Sequence, residues 1–296
     1  TGAVADATRF FWRATALLAQ DDGAVRALVP LFVDGRACER MRGYLLDLLA
    51  RTGTPAAQRA LVELLDGPAA QGSARSHYLQ RLGFVADPEP ATVRVAERAL
   101  DDPATRAAAP YALGSLAQRM TEAGRGEDAR ALNGRLQRVL ERATPAERPH
   151  VLAGLGNARR EDNGPVLARF TGDPDARVRL ALTTALGRTP GAASREALWA
   201  MTRDGDATVQ ARALEAAGEA PLTAAQIDDL TARVRDGRVP QPAFGALLAA
   251  LRAQTSAHAA AVAACLDAMI AQDIADPQVP AASSARACTV ASPSRV

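Results

Sequence analysis

Three glycines close three similar segments at one fixed interval. PHVLAGLG ends on Gly156, RLALTTALG on Gly187 and QARALEAAG on Gly218, each 31 residues after the last. The residue before each is Leu155, Leu186 or Ala217, and a second position keeps step as Arg148, Arg179 and Gln210. A repeat of this length is one supersecondary unit that cannot bury its apolar face alone and must stack on its neighbours. Extended backwards, the ladder takes in Gly53, Gly83 and Gly114, with successive spacings of 30, 31, 42, 31 and 31.

A second punctuation alternates with the glycines: Asp66-Gly67, Asp102-Pro103, Thr144-Pro145, Asp173-Pro174, Gly205-Asp206 and Asp236-Gly237. Asp or Thr offers an N-cap oxygen, and a following Pro presets φ for the first helical residue. A glycine just past a helix takes the left-handed conformation that satisfies the last carbonyls, or lets two helices approach closely. The pattern therefore predicts one helix from each acidic turn to the next glycine and a second from that glycine to the next turn. First members fall at about 37–52, 73–82, 103–113, 145–155, 174–186 and 207–217, with partners at about 55–65, 90–100, 127–142, 165–170, 194–203 and 223–234. A further pair, about 242–253 and 256–271, lacks the glycine. Ahead of them all, residues 5–19 place Phe10, Leu17 and Leu18 at helical spacing, and a helix over 24–33 contains Pro30, which should kink or shorten it. The 42-residue step between Gly114 and Gly156 lengthens both helices of its pair, with TEAGRG as the turn.

The expected fold is all-α: a two-layered α-α superhelix, a HEAT-like solenoid of about seven to eight helix pairs over residues 1–275, followed by a Pro/Ser/Ala-rich tail at 276–296. Helices of about eleven residues are marginal alone, so stability must come from stacking. Leu61, Leu64, Leu65, Leu79, Leu82, Leu113, Leu152, Leu155, Val178, Leu182, Leu186 and Leu214 are the residues expected to stack. Trp12 and Trp199 are the two large anchors, Trp199 as a buried contact between layers.

Composition narrows the function classes. The chain is 48% hydrophobic but only 4% aromatic, and all 35 basic residues are Arg, which fits a GC-rich, bacterial-type coding sequence. With net charge +2 and acids interleaved among the arginines, no basic stripe of the kind nucleic acid requires is present. No apolar run approaches the ~20 residues of a membrane span. Beginning at Thr1, the chain reads as a processed protein or an excerpt of a longer one.

Chemistry is sparse. His77, His150 and His258 lie in different repeats without a partner at ligand spacing, so no metal and no cofactor is expected. The absence of Lys excludes a Walker-type phosphate loop. Acid pairs such as Asp101-Asp102 fall at helix ends, where they cap. Arg106, Arg148 and Arg179 recur in register, as for a ladder of bonds to the acidic turns. No enzyme is expected. Three cysteines are too few for a disulfide scaffold, but Cys265 in the last helix and Cys288 in the tail form a possible disulfide, with Cys38 free. Such a bridge would imply an oxidising compartment, secreted or periplasmic.

GDPDARVRLALTTALG (Gly172 to Gly187) and GDATVQARALEAAG (Gly205 to Gly218) resemble HEAT repeats in their acidic turn, Asp-x-x-Val start and small apolar second half. A narrower resemblance runs through YLLDLLARTGTPAAQRALVELL (Tyr44 to Leu65), Gly114-Ser115-Leu116 and Leu155-Gly156-Asn157-Ala158 followed by 165–170. These resemble motifs of the superhelical domain of vitellogenins and the microsomal triglyceride transfer protein. That resemblance implies a helical scaffold flanking a lipid cavity and presenting surfaces to partner proteins. The family's cavity is lined mainly by β-sheets, and no segment here reads as those sheets. The expectation is thus a non-enzymatic scaffold for a protein partner. A lipid-binding or lipid-transfer component whose sheet is supplied elsewhere is the alternative. Oligomeric state is left open.

Overall fold

The computed structural model describes residues 2–34, 37–68, 70, 73–254 and 257–275. The tail at 276–296, with Cys288, lies outside them. Sixteen α-helices and no strand occur among the described residues. The chain divides into two compact units, Thr1–Ala197 and Leu198–Val296.

Unit 1 contains α1 (Gly2–Leu18), α2 (Asp22–Val33), α3 (Glu39–Thr52), α4 (Pro55–Asp66), α5 (Ser73–Arg81), α6 (Pro90–Arg98), α7 (Ala109–Glu122) and α8 (Gly126–Arg142). It continues with α9 (Arg148–Asn157), α10 (Gly164–Ala168) and α11 (Ala176–Arg188), and α12 (Ala192–Met201) runs across its boundary. The odd-numbered helices pack in sequence, α1 on α3, α3 on α5, α5 on α7, α7 on α9 and α9 on α11, while α2, α4 and α6 form a second layer. In unit 2, α13 (Ala207–Gly218) packs on α15 (Phe244–Arg252), and α14 (Ala224–Arg235) on α16 (Ala259–Ala275).

The stacking residues expected from the pattern are all buried, none more than 3% exposed. The longest step also holds: α7 and α8 run for 14 and 17 residues. Caps explain several starts. Thr54 accepts from Ala57 N ahead of Pro55, Asp175 from Arg177 N, and Asp206 from Thr208 N and Val209 N. Two starts shift. Residues 102–108 form turns before α7 because Asp102 takes the Ala104 N–H and buried Thr105 donates its hydroxyl to Ala99 O at 2.9 Å, tying the segment to the preceding turn. Likewise α9 waits until Arg148, because Glu147 Oε2 accepts from the N–H and hydroxyl of Thr144. Pro30 does not stop α2, which continues to Val33.

The glycine ladder works mainly by proximity. Gly53 alone among its members has a positive φ (66°) and ends its helix in the left-handed conformation. Gly114, Gly156, Gly187 and Gly218 lie inside helices, so the C-terminal role does not extend to them. A Cβ on Gly114 would fall on the carbonyl of Gly154, and one on Gly154 would sit 2.7 Å from the carbonyl carbon of Pro110. On Gly156 it would lie 2.7 Å from Ala185 Cα, and on Gly218 it would strike Cα and Cβ of Ala250. Each is a point where one odd helix crosses the next at backbone distance.

One apolar expectation is corrected, that of Trp12 as an anchor, and the spacing of α1 does not translate into burial. Phe10 and Leu17 are 64% and 68% exposed, and Trp12 is 54% exposed. Among the described residues helix α1 packs mainly on α3 and α2, burying the face that carries Thr15 and Leu18.

Candidate interaction face

Because successive odd helices meet through glycine and alanine, their outward stripes lie close together. Residues three, four or seven apart share a helix face. On α3 these are Tyr44, Asp47 and Arg51. His77 and Arg81 on α5 are continued by Phe84 in the 3-10 turn that follows, and α7 contributes Tyr111, Ser115 and Arg119. Finally, α9 supplies His150 and Asn157, and α11 ends on Arg188.

Contacts knit these stripes into one surface of unit 1. The Phe11 ring meets Trp12 and Tyr44 edge-on, with centroids 5.7 and 5.4 Å apart. Arg51 lies over both Trp12 and Phe84, at 5.7 and 4.8 Å from the ring centroids, and Arg81 approaches Phe84 from 5.9 Å. Arg81 Nε lies 2.7 Å from Asp47, and its Nη2 lies 3.2 Å from His77 Nε2. Arg119 pairs with Glu122 at 2.7 Å and reaches towards Gly83 O.

At the other end, the Tyr111 hydroxyl and His150 Nδ1 are 3.3 Å apart. Asn157 Nδ2 donates to Tyr111 O and Ser115 Oγ, both at 3.4 Å, while its Oδ1 accepts from Arg188 Nη1 at 2.5 Å. One amide thus joins α7, α9 and α11. Burial pushes the Tyr111 phenol above its ordinary pKa, and the Arg188 charge opposes that rise. Arg188 is exposed, with no carboxylate partner among the described residues.

This face went unread in the sequence, although one signal marked it. Phe84, Ser115, Asn157 and Arg188 each follow a ladder glycine immediately. If the glycine points at the neighbouring helix, the next residue, about 100° round, points along the surface beside it.

The arginine ladder is present on the other side of the repeat. Arg75 reaches Asp102 at 2.9 Å, Arg106 reaches Glu147 at 3.4 Å and Arg148 reaches Asp173 at 2.9 Å, each bridging to the next acidic turn. Arg179 Nη1 bonds Asp173 O at 2.8 Å. Gln210, in the same register within unit 2, donates to Thr202 O and Arg238 O.

Unit 2 keeps its own cluster inside. Trp199 is half-buried against the core, with Arg203 and Arg233 at 5.6 and 5.5 Å from its ring centroid. Arg233, only 3% exposed, donates to Thr202 O at 2.7 Å and lies 3.2 Å from Asp229, which also holds Arg203 at 2.7 Å. Burial lowers the Arg233 pKa, and the Asp229 charge opposes this. Cys265 is fully buried in the same core. Burial raises its thiol pKa, which a Thr231 hydrogen bond opposes. Its possible disulfide partner, Cys288, lies outside the described residues. Cys38 is exposed and free.

Among the described residues, no group of three or more His, Cys, Asp or Glu could hold a metal ion, and no helix is long and apolar enough to cross a membrane.

Paired helices that cross at glycines make this an all-α helical-repeat fold with HEAT-like units. The family model described as HEAT repeats matches residues 132–218. Among solved structures, the complex of CpcE and CpcF of phycocyanin lyase from Nostoc sp. PCC7120 is similar at 19% identity. The match covers 80% of this chain and 90% of that one, with a TM-score of 0.41. No curated protein matches the chain.

Proposed function

We propose that this chain is a non-enzymatic scaffold that binds another protein through the odd-helix face of unit 1. The observation that carries this reading is where the aromatics lie. In a chain with only 6 Phe, 2 Trp and 3 Tyr, the residues Phe11, Trp12, Tyr44, Phe84 and Tyr111 gather on one face among Arg51, Arg81, Arg119 and Arg188. Trp, Tyr and Arg are the side chains that dominate protein-binding hot spots. Phe11, Tyr44, Phe84 and Tyr111 are half-buried, and the exposed Trp12 and Arg51 lie against neighbouring rings, which reduces the side-chain entropy left to lose on association. The hydrogen-bonded groups on this face hold one another in place. The lipid alternative, and with it the vitellogenin-type resemblance, gains no support from the fold or the comparisons.

The test is site-specific photo-crosslinking in an extract of the source cells, with a benzophenone probe at Gln118 on the face and at Arg138 on α8 as control. A discrete protein adduct at Gln118, absent at Arg138 and lost in the Arg51→Gln/Tyr111→Ala variant, is expected. Identical adducts at both positions would overturn the reading.

A further inference from the structure

We infer that Tyr111, His150, Asn157 and Arg188 form a binding site for a carboxylate, the Asp or Glu side chain of an acidic segment in the protein partner. This rests on the interaction face proposed above and assigns its anchor point.

The argument begins with how Arg188 is held. A guanidinium has five donors in a rigid fork suited to carboxylates. Here Nη1 is fixed by Asn157 Oδ1 at 2.5 Å. Asn157 is itself oriented from its other end by Tyr111 O and Ser115 Oγ on α7. The neighbouring arginines of the face differ. Arg81 is matched by Asp47 and Arg119 by Glu122, whereas Arg51 lies over aromatic rings. Arg188 alone among these four is both fixed by a hydrogen bond to a side chain and without an acid or a ring against it in the structure. On the same face, the half-buried Tyr111 hydroxyl and His150 imidazole share one hydrogen bond at 3.3 Å, which leaves one of the two with a donor free for an anion. Asn157 on α9 thus ties the Arg188 guanidinium of α11 to α7, so the cation is pre-positioned rather than free to roam.

The surroundings select the class of anion. Asp47 and Glu122 neutralise Arg81 and Arg119 and so interrupt the row of cations that a nucleic acid needs, while one carboxylate seated at Arg188 meets no acid among its immediate neighbours. Aromatic groups farther along the face suit a protein segment that carries apolar residues besides its acid.

The experiment uses fluorescence anisotropy at low salt on the full chain, with a fluorescein-labelled, capped decapeptide of alternating Glu and Leu. Arg188→Gln should weaken binding by at least about tenfold. Tyr111→Phe should weaken it a few-fold, and Arg138→Gln on α8 should leave it unchanged. Circular dichroism and melting of each variant establish that the fold persists. The same peptide should compete away the Gln118 adduct. Equal affinities for Arg188→Gln and Arg138→Gln overturn the site, as does tighter binding of a dT20 oligonucleotide than of the peptide. If the Gln118 adduct forms but the peptide neither binds through Arg188 nor competes, the carboxylate site fails and the interaction face stands. Loss of the adduct specificity removes the face as well.

Discussion

The centre of unit 1 and the whole of unit 2 use one repeat to opposite ends. In α7, α9 and α11 the helices cross at glycine, backbone against backbone, and polar side chains are displaced outward onto a shared surface. In unit 2 the crossing is kept at Gly218 and Ala250, but the arginine chemistry turns inward. There Arg233 lies under Trp199 and reaches the Thr202 carbonyl through the core. The position that carries Phe84, Ser115, Asn157 and Arg188 in unit 1 is filled in unit 2 by Glu219. A repeat therefore specifies where helices touch and leaves the exposed row open to other uses.

The comparison is most directly broken at the crossings. Gly114→Val should be the most damaging of the crossing changes in unit 1, because its Cβ would fall on the Gly154 carbonyl and the α7–α9 pair must separate. A cost of about 3 kcal/mol or more is expected, since overpacking a tight contact typically costs 1–3 kcal/mol before backbone displacement is added. Urea denaturation would read it. A loss below about 1 kcal/mol would show that the close crossing does not hold these helices. Gly245→Ala is the control, at a helical glycine of α15 with nothing near its missing Cβ.

In unit 2 the corresponding weak point is Arg233. Arg233→Ala removes the shorter of the two hydrogen bonds to the Thr202 carbonyl, which keeps Gln210, and takes from Trp199 one of its two guanidinium contacts. Breaking a fully buried pair costs about 3–5 kcal/mol. Asp229 is about a third exposed and keeps Arg203, so roughly 2–3 kcal/mol is the expected loss. Arg233→Met should recover part of it by packing against Trp199. If Met is no better than Ala, the charge rather than the stem stabilises the core, and the contrast with unit 1 becomes sharper.

Asn157→Ala tests the outward use of polarity. Its three hydrogen bonds lie at a half-exposed surface, two of them long, so water can replace them and about 1 kcal/mol is expected. A loss as large as that of Arg233→Ala would mean the surface amide is as structural as the buried arginine.

Legibility followed the same division. The crossings repeat, so the period exposed them together with the leucines that stack, from Leu61 to Leu214. Whether a ladder glycine served a left-handed cap or a close approach was not legible, because both demand a missing Cβ. Only Gly53 proved to be a cap. The face was unread because its residues do not repeat in kind: Phe, Ser, Asn and Arg share a register and nothing else. Arg233 gave no warning either, since an arginine two residues from the end of a helix ordinarily faces solvent beside the C-terminal carbonyls. The exposure of Phe10 and Leu17 was hidden for a third reason. Their spacing is that of a core helix, and what they lack is a neighbour, which one helix's pattern cannot show.

The smallest difference between the units lies in two turns of the same design. Thr144 ahead of α9 gives its N–H and hydroxyl to the Glu147 carboxylate, and Thr223 ahead of α14 gives both to the neutral amide oxygen of Gln226. The bonds from Thr144, and then the Arg106 charge, hold the Glu147 pKa below its ordinary value. A carboxyl whose folded pKa is depressed stabilises the native state above its unfolded pKa and loses that contribution as pH falls through the folded value. Unit 1 should therefore carry an acid-sensitive turn where unit 2 carries an indifferent one. Glu147→Gln should reduce the dependence of the urea midpoint on pH between neutrality and pH 3, with wild type and variant converging at the acid end. Gln226→Glu should introduce the same dependence into unit 2. The Thr144 and Thr223 amides, followed by hydrogen exchange, report each turn separately. An acid-dependent loss of protection at Thr144 in wild type, absent at Thr223 and transferred to it by Gln226→Glu, is the expected outcome. Equal pH dependence at both turns in wild type would assign the acid sensitivity to other carboxylates and remove this difference between the units.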